Sequence, residues 1–177
     1  MSIGNRIDGE RIFLEVLHPD SLSENYVAWM SDPEILRFLA NPQATYSASD
    51  LKDFVAQMNQ SDSNYLFGIF LKESGRHIGN IKIGNVHPIH KHADIGLIIG
   101  DKTLWGHGFA TSAIRLAVDY AFDVLKLHKL FAGILEDNKG SLKAFLKAGF
   151  MEAGCYKKHY CMGGKYCDSH IVEILHE

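Results

Sequence analysis

Apolar and polar positions alternate over residues 11–17 with the two-residue period of a strand, and the pattern stops at Pro19-Asp20-Ser21, where turn and capping residues cluster. A helix is expected over 22–30. Asp32-Pro33 ends it and opens a short helical stretch through Phe38. Residues 47–60 carry Leu51, Phe54, Val55 and Met58 at helical spacing, so after one strand the first third reads as helical. From Tyr65 the period returns to two. Strands over 65–71, 78–83 and 93–99, joined by a turn at Glu73-Ser74-Gly75-Arg76 and a His-rich connection, predict an antiparallel meander. Residues 110–124 then place Ile114, Ala117, Val118, Ala121 and Phe122 on one helical face. A strand over 129–135, a helix over 141–147 stopped by Gly149, and two strands over 151–160 and 166–175 complete the chain. The order is mixed α/β, with no internal repeat and no linker-like tract, so one continuous sheet with helices on both faces in a single domain over 1–177 is the expectation.

Composition narrows the function. The 177 residues carry 18 basic and 21 acidic side chains, a formal charge of -3, which argues against a protein that grips nucleic acid through phosphate charge. With 46% apolar and 22% charged residues the chain can bury a core, and no apolar stretch reaches the length of a membrane span. The N-terminus lacks the features of a secretory signal, so a cytoplasmic location is expected. Cys155, Cys161 and Cys167 are odd in number and lack metal-ligand spacing, and they read as reduced thiols. His87, His90 and His92 fit no standard metal site either, and no metal is expected.

The most informative stretch runs from Asp94 to Thr111. A strand ends at Gly100, and Trp105-Gly106-His107-Gly108-Phe109-Ala110-Thr111 then leads into a helix. Two glycines expose consecutive N–H groups, and the helix start adds unpaired donors and the positive end of its dipole, which together make a cradle for an anion such as a pyrophosphate. The spacing lacks the Gly-Lys-Ser/Thr ending of a P-loop and the third glycine of a dinucleotide-binding turn.

This segment resembles the acyl-CoA motif Arg/Gln-x-x-Gly-x-Gly/Ala of the GNAT superfamily of N-acetyltransferases, in its RimJ/RimL-like branch, with Trp105 at the first position and Gly108-Phe109-Ala110 at the last three. Two further elements match: Ala93-Asp94-Ile95-Gly96 against the family's Ala-Glu-Ile-Gly strand, and Asn138-x-x-Ser141 continuing through Phe145 to Gly149-Phe150. The resemblance implies a twisted, mostly antiparallel sheet splayed between its fourth and fifth strands. It implies acetyl-CoA as co-substrate, with pantetheine along Ile98 and Ile99, pyrophosphate over Gly106, His107, Gly108, Phe109, Ala110 and Thr111, and Asn138 and Ser141 near the arm.

By the same resemblance Asp94 stands where the family often has a catalytic Glu, and would accept the amine proton through water. His92 on the same strand is the competing base. The frequent general-acid Tyr is replaced by Phe145, which has no proton to give. Ser141 is then the candidate partner of the leaving thiolate, with helix capping as its alternative role; Tyr156 and Tyr160 are fallback donors, and the Ile99 N–H is the candidate polariser of the thioester. The acceptor is expected among Trp29, Asp32, Arg37, Phe38, Tyr46 and the region from Tyr156 to Asp168, with Asp94 beside it. Tyr26-x-x-Trp29-x-x-Asp32-Pro33-Glu34 resembles the early helices of branch members acting on amino-sugar nucleotides and on proteins. The leading expectation is acetylation of a small-molecule primary amine, such as an amino sugar, amino-sugar nucleotide or polyamine. Acetylation of a protein N-terminus and a non-catalytic acyl-CoA sensor stay open, and dimers are common in the branch.

Overall fold

The structure, a computed structural model, describes residues 6–39 and 46–176. Its strands are β1 (Arg6–Asp8), β2 (Ile12–Val16), β3 (Tyr65–Leu71), β4 (His77–Gly84), β5 (His92–Ile99), β6 (Lys129–Leu135), β7 (Met151–Met162) and β8 (Lys165–Leu175). They form one sheet in the order β1-β2-β3-β4-β5-β6-β8-β7. The three-residue β1 is an addition to the expected strands; it pairs antiparallel with β2 and makes the expected fourth and fifth strands β5 and β6.

Helix boundaries follow the caps. The helix expected over 22–30 starts later, as α1 (Glu24–Trp29), because the Ser23 hydroxyl accepts the Tyr26 N–H. Asp32 caps α2 (Pro33–Leu36), and a Ser47/Asp50 capping box starts α3 (Ala48–Gln60). The long helix divides into α4 (Phe109–Asp119) and a π-helical turn (Tyr120–Val124). Asn138 starts α5 (Lys139–Lys147) two residues ahead of Ser141.

The only parallel pair among the described residues is β5 with β6, because the chain between them crosses over through α4. Helices α4 and α5 cover one face, packing Phe109, Ile114, Ala117 and Phe145 on Phe67, Ile69, Ile81 and Leu130. Helices α1 to α3 cover the other, with Tyr26, Trp29, Leu51 and Val55 around Leu66.

The parallel pairing is short, from His92 opposite Lys129 to Asp94 opposite Phe131. Beyond it β5 stays with β4 as far as Ile99, while β6 stays with β8 through Leu135. Each strand keeps its outer partner and the two diverge. The sheet therefore opens into a wedge floored by residues 95–99 and walled by β6 and α5.

Candidate active site

Hydrogen-bond parity decides which backbone groups face the wedge. Gly100 N–H donates to the Ile78 carbonyl directly opposite, 2.9 Å away, so Ile98 with Asn80 and Gly96 with Lys82 are the bonded pairs of β5 and β4. The odd-numbered residues turn their backbone groups the other way. Lys91, the same parity, accepts the Lys129 N–H of β6 through its carbonyl, and the Ile99 carbonyl accepts the Trp105 indole N–H at 2.7 Å. Leu97 and Ile99 thus present backbone groups to the open edge, while those of Ile98 are directed at β4. Leu97, absent from the expected set, is the residue this register adds.

The glycine segment forms the rim. Gly106 and Gly108 have φ of 79° and 86°, a left-handed conformation that glycine adopts at little cost. Gly108 is the N-cap of α4 and offers no side chain, so the first N–H groups of the helix are left to an incoming group. The Trp105 indole ties the rim to the end of β5. Arg11 donates to the His107 carbonyl at 3.1 Å and stacks its cation 4.1 Å from the Phe109 ring centroid, which fixes the rim from behind.

Two cavities meet in the wedge. The larger, about 490 Å³, is lined by Leu97, Ile98, Ile99, Trp105, Gly106, Gly108, Phe109, Ala110, Thr111, Asn138 and Ser141, among others. Of the residues expected around the CoA arm, only His107 lies outside this lining. Arg37, Lys139, Lys143 and Lys147 line the cavity against one carboxylate, Asp137, so its field favours a polyanion. The smaller cavity, about 370 Å³, lies across the strand and is lined by Tyr26, Asn80, Lys82, Gly96, Phe145 and Tyr160, among others. Phe38, Leu39, Leu97, Ile98, Asn138 and Ser141 belong to both.

Asn138 is the helix cap: its Oδ1 accepts the Ser141 N–H at 3.1 Å. That relieves Ser141 of the capping role, and its hydroxyl makes no hydrogen bond among the described residues. Asp94 lies on the same face of β5 as Gly96 and Ile98, about 7 Å along the strand from Gly96, and outside both linings. It accepts a hydrogen bond from Asn85 and stands 3.9 Å from Lys82 Nζ.

The other expected acceptor residues disperse. Arg37 lines the larger cavity. Trp29 is buried under Gly100, its ring centroid 5.0 Å from that of His77. Tyr156 is exposed on β7. Asp168 takes Lys157 Nζ at 2.7 Å and the Lys158 N–H at 2.8 Å, which hold its carboxyl below the usual range and turn it to the β7 bulge. Asp32 holds Lys102, Phe38 reaches both cavities, and Tyr46 packs on the α1–α3 cluster. Residues 40–45 fall outside the described set. Rings His87, His90 and His92 cluster with centroids 4.4–6.1 Å apart; among the described residues no cluster of His, Cys, Asp or Glu has metal-binding geometry.

The family model for the GNAT acetyltransferase domain matches residues 11–151. The chain belongs to the GNAT acetyltransferase family. "Probable N-acetyltransferase YjcK" of Bacillus subtilis is 38% identical over 66% of this chain and 64% of its own length. The spermidine N(1)-acetyltransferase of Vibrio cholerae is 31% identical over 55% of this chain and 56% of its own. The matches therefore span somewhat less than two thirds of these relatives. A crystal structure of spermidine N-acetyltransferase from Vibrio cholerae with CoA and spermine superposes with a TM-score of 0.84, at 23% identity and covering 94% of this chain and 96% of that one, which shows the shared fold. β5 and β6 part beyond Asp94 and Phe131, as the resemblance implies. No helix among the described residues is long and apolar enough to cross a membrane.

Proposed function

We propose that the protein is an acetyl-CoA-dependent N-acetyltransferase that passes the acetyl group directly to the primary amine of a small molecule held in the smaller cavity. The observation that carries this reading is the junction of the cavities at Leu97 and Ser141: a polyanion-binding cleft with an open strand edge meets an amphipathic chamber at one point. The Trp105 motif favours the RimJ/RimL-like branch.

Each residue's part follows from its position. The N–H groups of Phe109, Ala110 and Thr111 hold the pyrophosphate, and the α5 lysines hold the outer phosphate. The Ile99 N–H pairs with an amide of the pantetheine arm, as an added strand would. The Leu97 N–H, which unlike Ile99 lines both cavities, polarises the thioester carbonyl. Acetyl-CoA, when bound, supplies the activated acyl carbon. The amine forms the N–C bond as the C–S bond breaks, its proton passes through water to Asp94, and the Ser141 hydroxyl donates to the departing sulfur.

Free-thiol release from acetyl-CoA over polyamines, amino sugars, amino-sugar nucleotides and N-terminal peptides, with products identified by mass, tests the reading. An acetylated small amine is the expected result. Acetylated peptides alone would move the acceptor to protein N-termini, and acetyl-CoA binding without turnover on any acceptor would make the chain a sensor.

A further inference from the structure

A relay that the transfer chemistry above does not use ends at Asn80, in the lining of the smaller cavity. His77 on β4 is buried, and its Nε2 lies 2.9 Å from the Gly79 carbonyl and 2.8 Å from Asn80 Oδ1. A carbonyl oxygen only accepts, so Nε2 carries the proton. Burial holds the ring below its ordinary pKa and therefore neutral, which leaves Nδ1 as the acceptor of the Ser23 hydroxyl proton at 2.9 Å. Ser23 is in turn fixed as the cap of α1. This chain of donors determines how the Asn80 amide is turned: Oδ1 faces His77, and Nδ2 is the end left over.

Asn80 is 5% exposed and lines the smaller cavity; the Tyr26 hydroxyl is a polar neighbour of its side chain, but no group among the described residues meets its Nδ2 in full hydrogen-bond geometry. A buried donor without a partner is unfavourable unless something else supplies an acceptor. It sits opposite Ile98, which belongs to both cavities and adjoins the junction where the acyl group would be transferred. The charge of the chamber points the same way. Lys82 is its one charged lining residue, and no carboxylate is among the described lining. The neighbouring Tyr26 hydroxyl is pushed up to about 12, chiefly by burial, and stays a neutral donor. A chamber with an amide donor, a phenol and a lysine is matched to an oxygen-bearing guest, and a polycation would meet Lys82 with no carboxylate among the described lining, Asp94 standing outside it 3.9 Å from Lys82 Nζ.

We propose that Asn80 is a specificity-determining residue that donates through Nδ2 to a hydroxyl or carbonyl oxygen next to the reacting amine, and that His77 positions it. The inference rests on the acetyltransferase reading and narrows its acceptor class to amines that carry an oxygen close to the nitrogen, such as amino sugars, over polyamines.

The test compares kcat/KM for trans-2-aminocyclohexanol with that for cyclohexylamine, and for glucosamine with that for spermidine, in wild type, Asn80→Leu and His77→Gln. Loss of one partner for a buried donor predicts a preference of about ten- to a hundredfold for the oxygen-bearing member in wild type. Asn80→Leu should reduce the preference toward unity with the KM for acetyl-CoA unchanged. His77→Gln, which can still donate to Asn80 Oδ1, should keep part of it, so a positioning role is separable from damage to the fold. Equal efficiencies in wild type would mean that water serves the amide and would overturn the inference alone, as would an undiminished preference in a folded Asn80→Leu. Absence of turnover on every amine would overturn the acetyltransferase reading and the inference with it.

Discussion

Gly106→Ala and Gly108→Ala separate the conformation of the rim from its use. Both residues hold positive φ, and an added Cβ would meet nothing within 4 Å at either position, so packing contributes no penalty. What remains is the cost of a left-handed L-residue, about 1–2 kcal/mol at each site. For a domain of this size 1 kcal/mol moves Tm by about 2–4 °C, so each variant should melt about 2–8 °C below wild type without ligand. Both glycines line the larger cavity ahead of α4, where the pyrophosphate is proposed to sit. Affinity for CoA, measured by calorimetry, should therefore fall beyond what the loss of stability explains, and the Tm gain given by saturating CoA should shrink in parallel. Unchanged melting would refute the left-handed rim. Lowered melting with wild-type CoA affinity would refute the phosphate cradle and leave the rim as a plain turn.

Three further outcomes follow from the same geometry. Ser141→Ala keeps the backbone N–H that Asn138 Oδ1 accepts, so Tm should be unchanged while kcat falls by about tenfold or more; stopped-time thiol assays at saturating substrates read this, and an unaltered kcat would remove Ser141 from the transfer step. Gly100→Ala would place a Cβ 1.9 Å from Trp29 Cδ2 within a buried cluster, so overpacking should cost about 1–3 kcal/mol, and a thermal melt equal to wild type would contradict the Trp29 packing. His77 has its folded pKa lowered by burial, so between that value and 6.5 the unfolded chain binds the extra proton, and stability should fall as pH drops through this window. Replacing it by Gln should flatten the decline in Tm between pH 7 and 5.5, and an identical decline would show that His77 is not the group responsible.

Residues whose chemistry depends on near neighbours were legible in the sequence. Gly106 and Gly108 declare a left-handed turn ahead of a helix, and the run from Asp94 to Ile99 declares a strand leading into it. The proposed acceptor chamber was legible only in part: Phe38 and the stretch holding Tyr160 were expected there, but Tyr26 of α1, Asn80 and Lys82 of β4 and Tyr160 of β7 come from three separate elements and meet only through the tertiary fold. In isolation Asn80 and Lys82 are alternate polar positions of a strand, the pattern of a solvated face; here α1 to α3 cover that face. Asp168 and Tyr156 suggested an acceptor site because they lie near the C-terminal strands, but the β7 bulge claims Asp168 through Lys157 and Lys158. The role of Ser141 turned on a competition between neighbours: once Asn138 caps the helix, Ser141 is free to face the cavities.

The split of the sheet and the demand for a ligand are one event. Had β6 continued beside β5 past Phe131, the outward backbone groups of Leu97 would have been satisfied within the sheet, and no strand edge would remain for an amide-bearing arm. Because β6 instead follows β8, that edge is exposed between a cleft with several cations and a chamber whose described lining holds neutral polar groups and one lysine, and the two sides are suited to different guests. The cleft draws in a polyanion by its field, over several ångströms and without exact fit. The chamber has no lining carboxylate among the described residues to attract a cation, so selection there falls to single hydrogen-bond donors such as Asn80, whose orientation is set by His77 and Ser23 before any acceptor arrives. Co-substrate capture should accordingly weaken with salt, whereas discrimination among amines should not.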